Sequence, residues 1–244
     1  MRLGLLFCAL VISSTLSATE LRVAVAANFA NTLNTLIAAY PEAVEFQLSL
    51  GASGALATQI LQGAPFDLFF SADAERPQRL VDAGLAGPAT TYAYGLLALW
   101  SPRLTPATAA QLSHPSVRFV AIPDPRLAPY GLAAEAVLAE LGLLHQLRLV
   151  RGQSVGQSLQ HIASGAADLG FVALSQLRTI KVPEEHVWQP TTAPLLTQQA
   201  VVLARAAEPE TARAFLHWVV HSPEAQRILI DAGYRIPEAP HEPR

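Results

Sequence analysis

The stretch "LGASGALATQI" (50–60) puts Ser53 between Gly51 and Gly54, ahead of a run with helical spacing. A serine in that setting serves as a nucleophile, as part of an anion cradle, or as a helix cap. The nucleophile elbow is Gly-x-Ser-x-Gly, and position 55 is Ala. The histidines (His114, His145, His161, His186, His217, His221 and His241) are scattered, and none lies in a base motif. His217 and His221 are four apart, which places them on one helix face. They lack the Glu of a His-Glu-x-x-His motif and a third ligand, so they read as solvated residues. No Gly-x-x-x-x-Gly-Lys-Ser/Thr loop occurs, and no Gly-x-Gly-x-x-Gly follows a strand, so the nucleotide-binding readings fail. No catalytic residue and no cofactor is expected.

What recurs is a strand that ends in a short turn of small or polar residues and opens a helix. It appears in "AVAANFANT" (Ala27, Asn28), "LGASGAL" (Ser53, Gly54), "PDPRLAPYGLA" (Tyr130, Gly131) and "RGQSVGQS" (Ser154, Val155, Gly156). A helix N-terminus offers unpaired backbone N–H groups and a partial positive charge, and so binds anions without lysine or arginine. Gly54, Gly131 and Gly156 remove a Cβ where an anion must approach backbone. For each turn alone the plainer reading carries more weight: Ser and Asn are the usual helix caps, and Ser53 is expected to cap its helix whether or not it also meets an anion.

These junctions need strands and helices to hold them. Buried strands are read at 21–27, 44–50, 66–72, 92–100, 117–123, 146–152, 167–175 and 197–204. Helices are read at 28–40, 54–62, 74–85, 130–144 and 154–165, with two more in 209–233 split at Pro223. A short amphipathic piece is read at 107–112. The alternation gives an α/β fold. The strands 92–100 and 197–204 bracket the middle of the chain. That suggests a discontinuous lobe of 19–98 plus 200–244, a continuous lobe of 99–199, and two crossing strands as the hinge.

Residues 1–18 read as a cleavable secretory signal: Arg2, the apolar "LGLLFCALVI", then the small-residue run "SSTLSA", with cleavage after Ala18. Cys8 is the only cysteine and lies inside that segment, so the mature chain has no disulfide and no thiolate site. Phe7 before Cys8 does not suit a lipoprotein. Net charge is −3, charged residues are 14% of the chain, and no basic block is visible; a nucleic-acid footprint is therefore not expected. Together these features point to a soluble protein of a bacterial periplasm.

The stretches "AVAANF", "GASGALATQILQGAPFDLFFSAD", "PYGLAAEAVL", "SVGQSLQHIASGAADLGFVAL", "QQAVVLA" and "AQRILIDAGY" resemble, in order, the periplasmic molybdate-binding proteins of ABC importers. The resemblance implies a two-lobed type II periplasmic-binding-protein fold, each lobe a mainly parallel sheet flanked by helices. It implies closure on molybdate or tungstate, with molybdenum or tungsten held only as the oxyanion. Carried over by position, it assigns backbone N–H and a side-chain donor to Asn28, with Ala27 beside it. It assigns hydroxyl and N–H to Ser53, and N–H to Tyr130 and Val155. Some members carry a ligand-contacting Tyr in the strand after "ADLG", where this chain has Ala173. Asp67 and Asp73, within the motif, read as structural turn residues. The implied partner is an ABC permease and a monomer is expected. Three alternatives are a binder of sulfate or phosphate on the same fold, an exported hydrolase using Ser53, and a ligand-free interaction or sensing domain.

Overall fold

The computed structural model describes residues 19–237; the expected signal segment lies outside them. The chain builds two five-stranded sheets. The first contains β1 (Thr19–Ala26), β2 (Val44–Gly51), β3 (Leu68–Phe70), β4 (Thr90–Gly95) and β10 (Leu196–Val202) in the order β2-β1-β3-β10-β4. The second contains β5 (Leu97–Trp100), β6 (Val120–Pro123), β7 (Leu149–Gly152), β8 (Leu169–Ala173) and β9 (Val187–Trp188) in the order β7-β6-β8-β5-β9. In each sheet four strands run one way and one runs against them, β10 in the first and β5 in the second.

Burial explains the order. β6 and β8 are buried at every position and sit inside their sheet, as continuous apolar runs do. β2 alternates partly buried with exposed residues over most of its length and forms an edge. On β1, Leu21, Val23 and Val25 enter one core with Phe29, Phe70 and Phe215, while Ala24 faces a second core with Leu56, Ile60 and Phe69. This is the two-residue alternation of a strand covered on both faces. The second sheet has its own core around Val120, Ile122, Val137 and Phe171.

Helices follow the strands: α1 (Ala30–Ala39), α2 (Ser53–Leu61), α3 (Glu75–Asp82), α4 (Pro129–Glu140), α5 (Val155–Ala163), α6 (Leu174–Thr179), α7 (Pro209–His221) and α8 (Pro223–Asp231). No helix of the described residues is long and apolar enough to cross a membrane. The expected strand 92–100 is two strands. β4 pairs in the first sheet up to Gly95, and β5 pairs in the second from Leu97. The chain therefore passes between sheets at Leu96. Apolar periodicity runs straight through this point, because both halves are buried. The expected strand 167–175 ends at Ala173, where α6 begins, a short helix that carries Ser175 and Gln176 to the seam between lobes.

Candidate functional site

The four turns meet. Ala27, Asn28 and Ser53 from the first lobe, and Tyr130 and Val155 from the second, line one small cavity between the sheets, with Ala52, Ala72 and Pro129. The cavity is small, about 10 Å³, which excludes an organic ligand of ordinary size. No charged side chain lines it.

Each turn is shaped by its own residues. Phe29 anchors the first: its ring packs 4.6 Å from Tyr92 and 5.3 Å from Phe70, centroid to centroid. Asn28 is thereby held at the entrance of α1. Ser53 is the first residue of α2, with Ala52 at the N-cap position, so the expectation that Ser53 caps its helix is corrected. Its Oγ instead accepts a hydrogen bond from the Ala72 N–H at 2.9 Å, tying α2 to the strand end after β3. Pro129 opens α4 at a position where no N–H is needed. Gly131 is packed on backbone: a Cβ there would lie 2.5 Å from the Pro123 carbonyl oxygen. Ser154 caps α5, its Oγ accepting from Gln157 N–H at 3.3 Å.

Donors follow from this geometry. Among the described residues, the backbone N–H groups of Asn28, Ser53, Tyr130 and Val155 have no protein acceptor. The Ser53 hydroxyl accepts, and its own hydrogen has no acceptor among those residues. That makes five free donors, supplied from both lobes. Ala27 differs. It lines the cavity, but its N–H bonds the Gly51 carbonyl at 2.9 Å, so it contributes wall and no donor.

Asn28 also departs from expectation. Its amide nitrogen donates to Gln198 Oε1 at 3.0 Å and to Tyr234 Oη at 3.1 Å. The side chain is turned away from donor duty at the cavity, and its Oδ1 is buried without a partner. Its carbonyl accepts from Tyr234 Oη at 2.9 Å and from Ser175 Oγ at 3.1 Å. With its amide nitrogen and its carbonyl both engaged, Asn28 presents its backbone N–H to the cavity.

Behind the cavity lies a buried polar network that sequence reasoning missed. Gln198 Nε2 donates to Tyr130 Oη at 3.1 Å, and Tyr92 Oη lies 2.8 Å from Gln198 Oε1 and 3.1 Å from the Ser71 carbonyl. Burial pushes the hydroxyls of Tyr92 and Tyr130 well above the ordinary phenol value and Tyr234 up to about 12, so all three stay neutral. Gly95 makes the crossing possible: a Cβ there would overlap Gln198 Nε2 and Tyr130 Oη. An isolated Gln between strand residues carries no signature of such a role, and only the glycine before the crossing hinted at close packing.

Other predicted residues lie apart. Ala173 ends β8, fully buried, outside the residues that line the cavity. Asp67 accepts from Arg22 N–H at 2.8 Å and Ala207 N–H at 2.6 Å. Asp73 accepts from Ser71 Oγ at 2.9 Å and pairs with Arg76. His217 and His221 stack on α7 with ring centroids 4.2 Å apart.

The model of the bacterial extracellular solute-binding proteins matches residues 21–235. The chain belongs to that family. This solute-binding protein is similar to the molybdate-binding protein ModA of Rhodobacter capsulatus, 38% identical over 250 residues that cover 96% of each chain. It is similar in structure to the periplasmic molybdate-binding protein of Azotobacter vinelandii, with a TM-score of 0.84 and 41% identity, over 90% of this chain and 100% of that one. The sulfate-binding protein SubI of Mycobacterium tuberculosis shares the fold at 16% identity and a TM-score of 0.70, over 90% of this chain and 88% of that one.

Proposed function

We propose that the cavity holds molybdate, with tungstate as an equivalent ligand, and that the protein works in the periplasm as the monomeric delivery subunit of an ABC importer. The observation that carries this reading is the set of five unpaired donors from both lobes on one cavity with no cationic side chain. Dipolar donors held in place stabilise a dianion through charge-assisted hydrogen bonds. Because no counter-charge is present, selection rests on fit. A smaller sulfate leaves bonds long, and a donor left unmet costs about 1–3 kcal/mol. A protonated phosphate needs an acceptor where the cage offers N–H. The similarity to molybdate-binding proteins over nearly the whole chain supports the same ligand. Ligand bound to donors of both lobes favours the closed form, which the permease then reads. The role is carriage rather than catalysis.

Titration calorimetry on protein beginning at Thr19 tests the reading. Molybdate and tungstate are expected to bind 1:1, with equal concentrations of sulfate or phosphate displacing neither. Heat from sulfate or phosphate with silence from molybdate would overturn it.

A further inference from the structure

A second concavity opens on the same seam. It has a volume of about 160 Å³, and its lining includes Gly54, Thr58, Arg76, Arg79, Arg126 and Leu127. Its walls come from both lobes: α2 and α3 on one side, and the loop between β6 and α4 on the other. Three guanidinium groups line it and no carboxylate does.

The charges around it are arranged for an anion. Asp73 pairs with Arg76 from the first lobe. Asp124 accepts from Arg126 Nη2 at 2.7 Å and Nε at 3.1 Å on the second. Arg79 pairs with no carboxylate among the described residues. Other acids of α3 are Glu75 and Asp82, and Asp82 accepts from Gln78 at 2.8 Å. Two of these carboxylates, Asp73 and Asp124, are paired with Arg76 and Arg126, which leaves Arg79 as the arginine of the concavity without a carboxylate partner among the described residues. The two walls are joined: Arg76 Nη2 reaches the Arg126 carbonyl at 3.4 Å, and the Gly54 N–H donates to the Leu127 carbonyl at 3.0 Å. Opening the lobes parts these contacts and separates Arg126 from Arg76 and Arg79.

We propose that this arginine-lined concavity is a second anion site, specific to the closed form, that takes a compact divalent oxyanion of the sulfate or phosphate class. The unpaired Arg79 presents a forked donor set that matches such oxygens, and Arg76 and Arg126, paired with Asp73 and Asp124, add the donors those carboxylates leave free; the cage, in contrast, is lined by neutral dipoles. A ligand that needs both walls shifts the lobes toward closure and so tightens the cage on its own anion, and the coupling is reciprocal. The coupling to molybdate rests on the function proposed above; the site itself does not.

The test measures molybdate affinity by calorimetry at constant ionic strength, with chloride exchanged for sulfate at millimolar levels, in wild type and Arg79→Gln. Arginine Nε–Hε signals are followed by NMR in parallel, with and without molybdate. Sulfate is expected to tighten molybdate binding about fivefold in wild type, near the low end of ordinary coupling. In Arg79→Gln the change should be under about twofold, with molybdate affinity in chloride unaltered. The Arg76 and Arg79 signals should move with sulfate in wild type. Weaker molybdate binding in sulfate, an equal effect in both proteins, or unmoved arginine signals would overturn the proposal. Failure of molybdate to bind at all would count against the cage, and the arginine signals would still decide the second site.

Discussion

Ser53→Ala isolates the one hydroxyl donor of the cage. In the native protein Ser53 Oγ holds the Ala72 N–H at 2.9 Å and keeps its own hydrogen for a ligand oxygen. The substitution acts in two states. In the bound state it removes one hydrogen bond to a charged acceptor, worth about 1.5–3 kcal/mol. At about 1.4 kcal/mol per tenfold, molybdate Kd should rise about 10- to 150-fold. In both states it leaves the buried Ala72 N–H without its acceptor, a cost of about 1–3 kcal/mol. For a chain of this size each kcal/mol lowers Tm by about 2–4 °C, so the ligand-free protein should melt about 2–12 °C lower. Calorimetry gives the first number and a thermal melt gives the second. A Kd within about threefold of wild type, with an unmoved melt, would show that the hydroxyl neither meets the ligand nor braces the turn.

Three further substitutions follow from the geometry. Gly54→Ala sets a Cβ 2.9 Å from the Leu127 carbonyl oxygen across the seam and 3.0 Å from Arg76 Nε on its own lobe; the side chain has room to give and the carbonyl does not, so overpacking of about 1–3 kcal/mol falls mainly on the closed form. Molybdate Kd should rise about 5- to 150-fold while the ligand-free melt stays put; a lowered melt with normal affinity would refute this. Gly95→Ala drives a Cβ into Gln198 and Tyr130, and a melt about 2–12 °C lower is expected from the same range of overpacking; an unchanged melt would show that the crossing has slack. Asp124, held down to about 2 by hydrogen bonds from the Arg126 side chain and backbone, has a folded value below its ordinary one. Its contribution to stability is complete above about pH 4 and lost as pH falls toward 2. The melting gap between wild type and Asp124→Asn should therefore close between pH 5 and pH 2, and a gap independent of pH would contradict the pairing.

The local parts of the fold were legible where periodicity was unambiguous. Val155, Leu159 and Ile162 announced α5, with Ser154 as its cap and Gly165 just past its end at φ +78°. The four strand-to-helix turns were legible because small polar residues recur there. The network that holds Asn28 was not. Gln198, Tyr92 and Tyr234 lie far from Asn28 in sequence and meet it only through the sheet order β3-β10-β4 and the packing of the C-terminal segment. For the same reason the side-chain role expected for Asn28 gave way: its amide is spent on partners that no local pattern reveals. Whether a turn N–H is free was equally hidden, since Ala27 and Asn28 are neighbours and only Ala27 reaches the Gly51 carbonyl.

A crystal structure of the protein with tungstate, phased on tungsten anomalous scattering, tests the central claim most directly. The account predicts one tungsten between the lobes, its oxygens within about 2.7–3.2 Å of the N–H groups of Asn28, Ser53, Tyr130 and Val155 and of Ser53 Oγ, with no arginine or lysine in contact. A cage empty of tungsten, with tungsten found only among guanidinium groups or elsewhere, would contradict it.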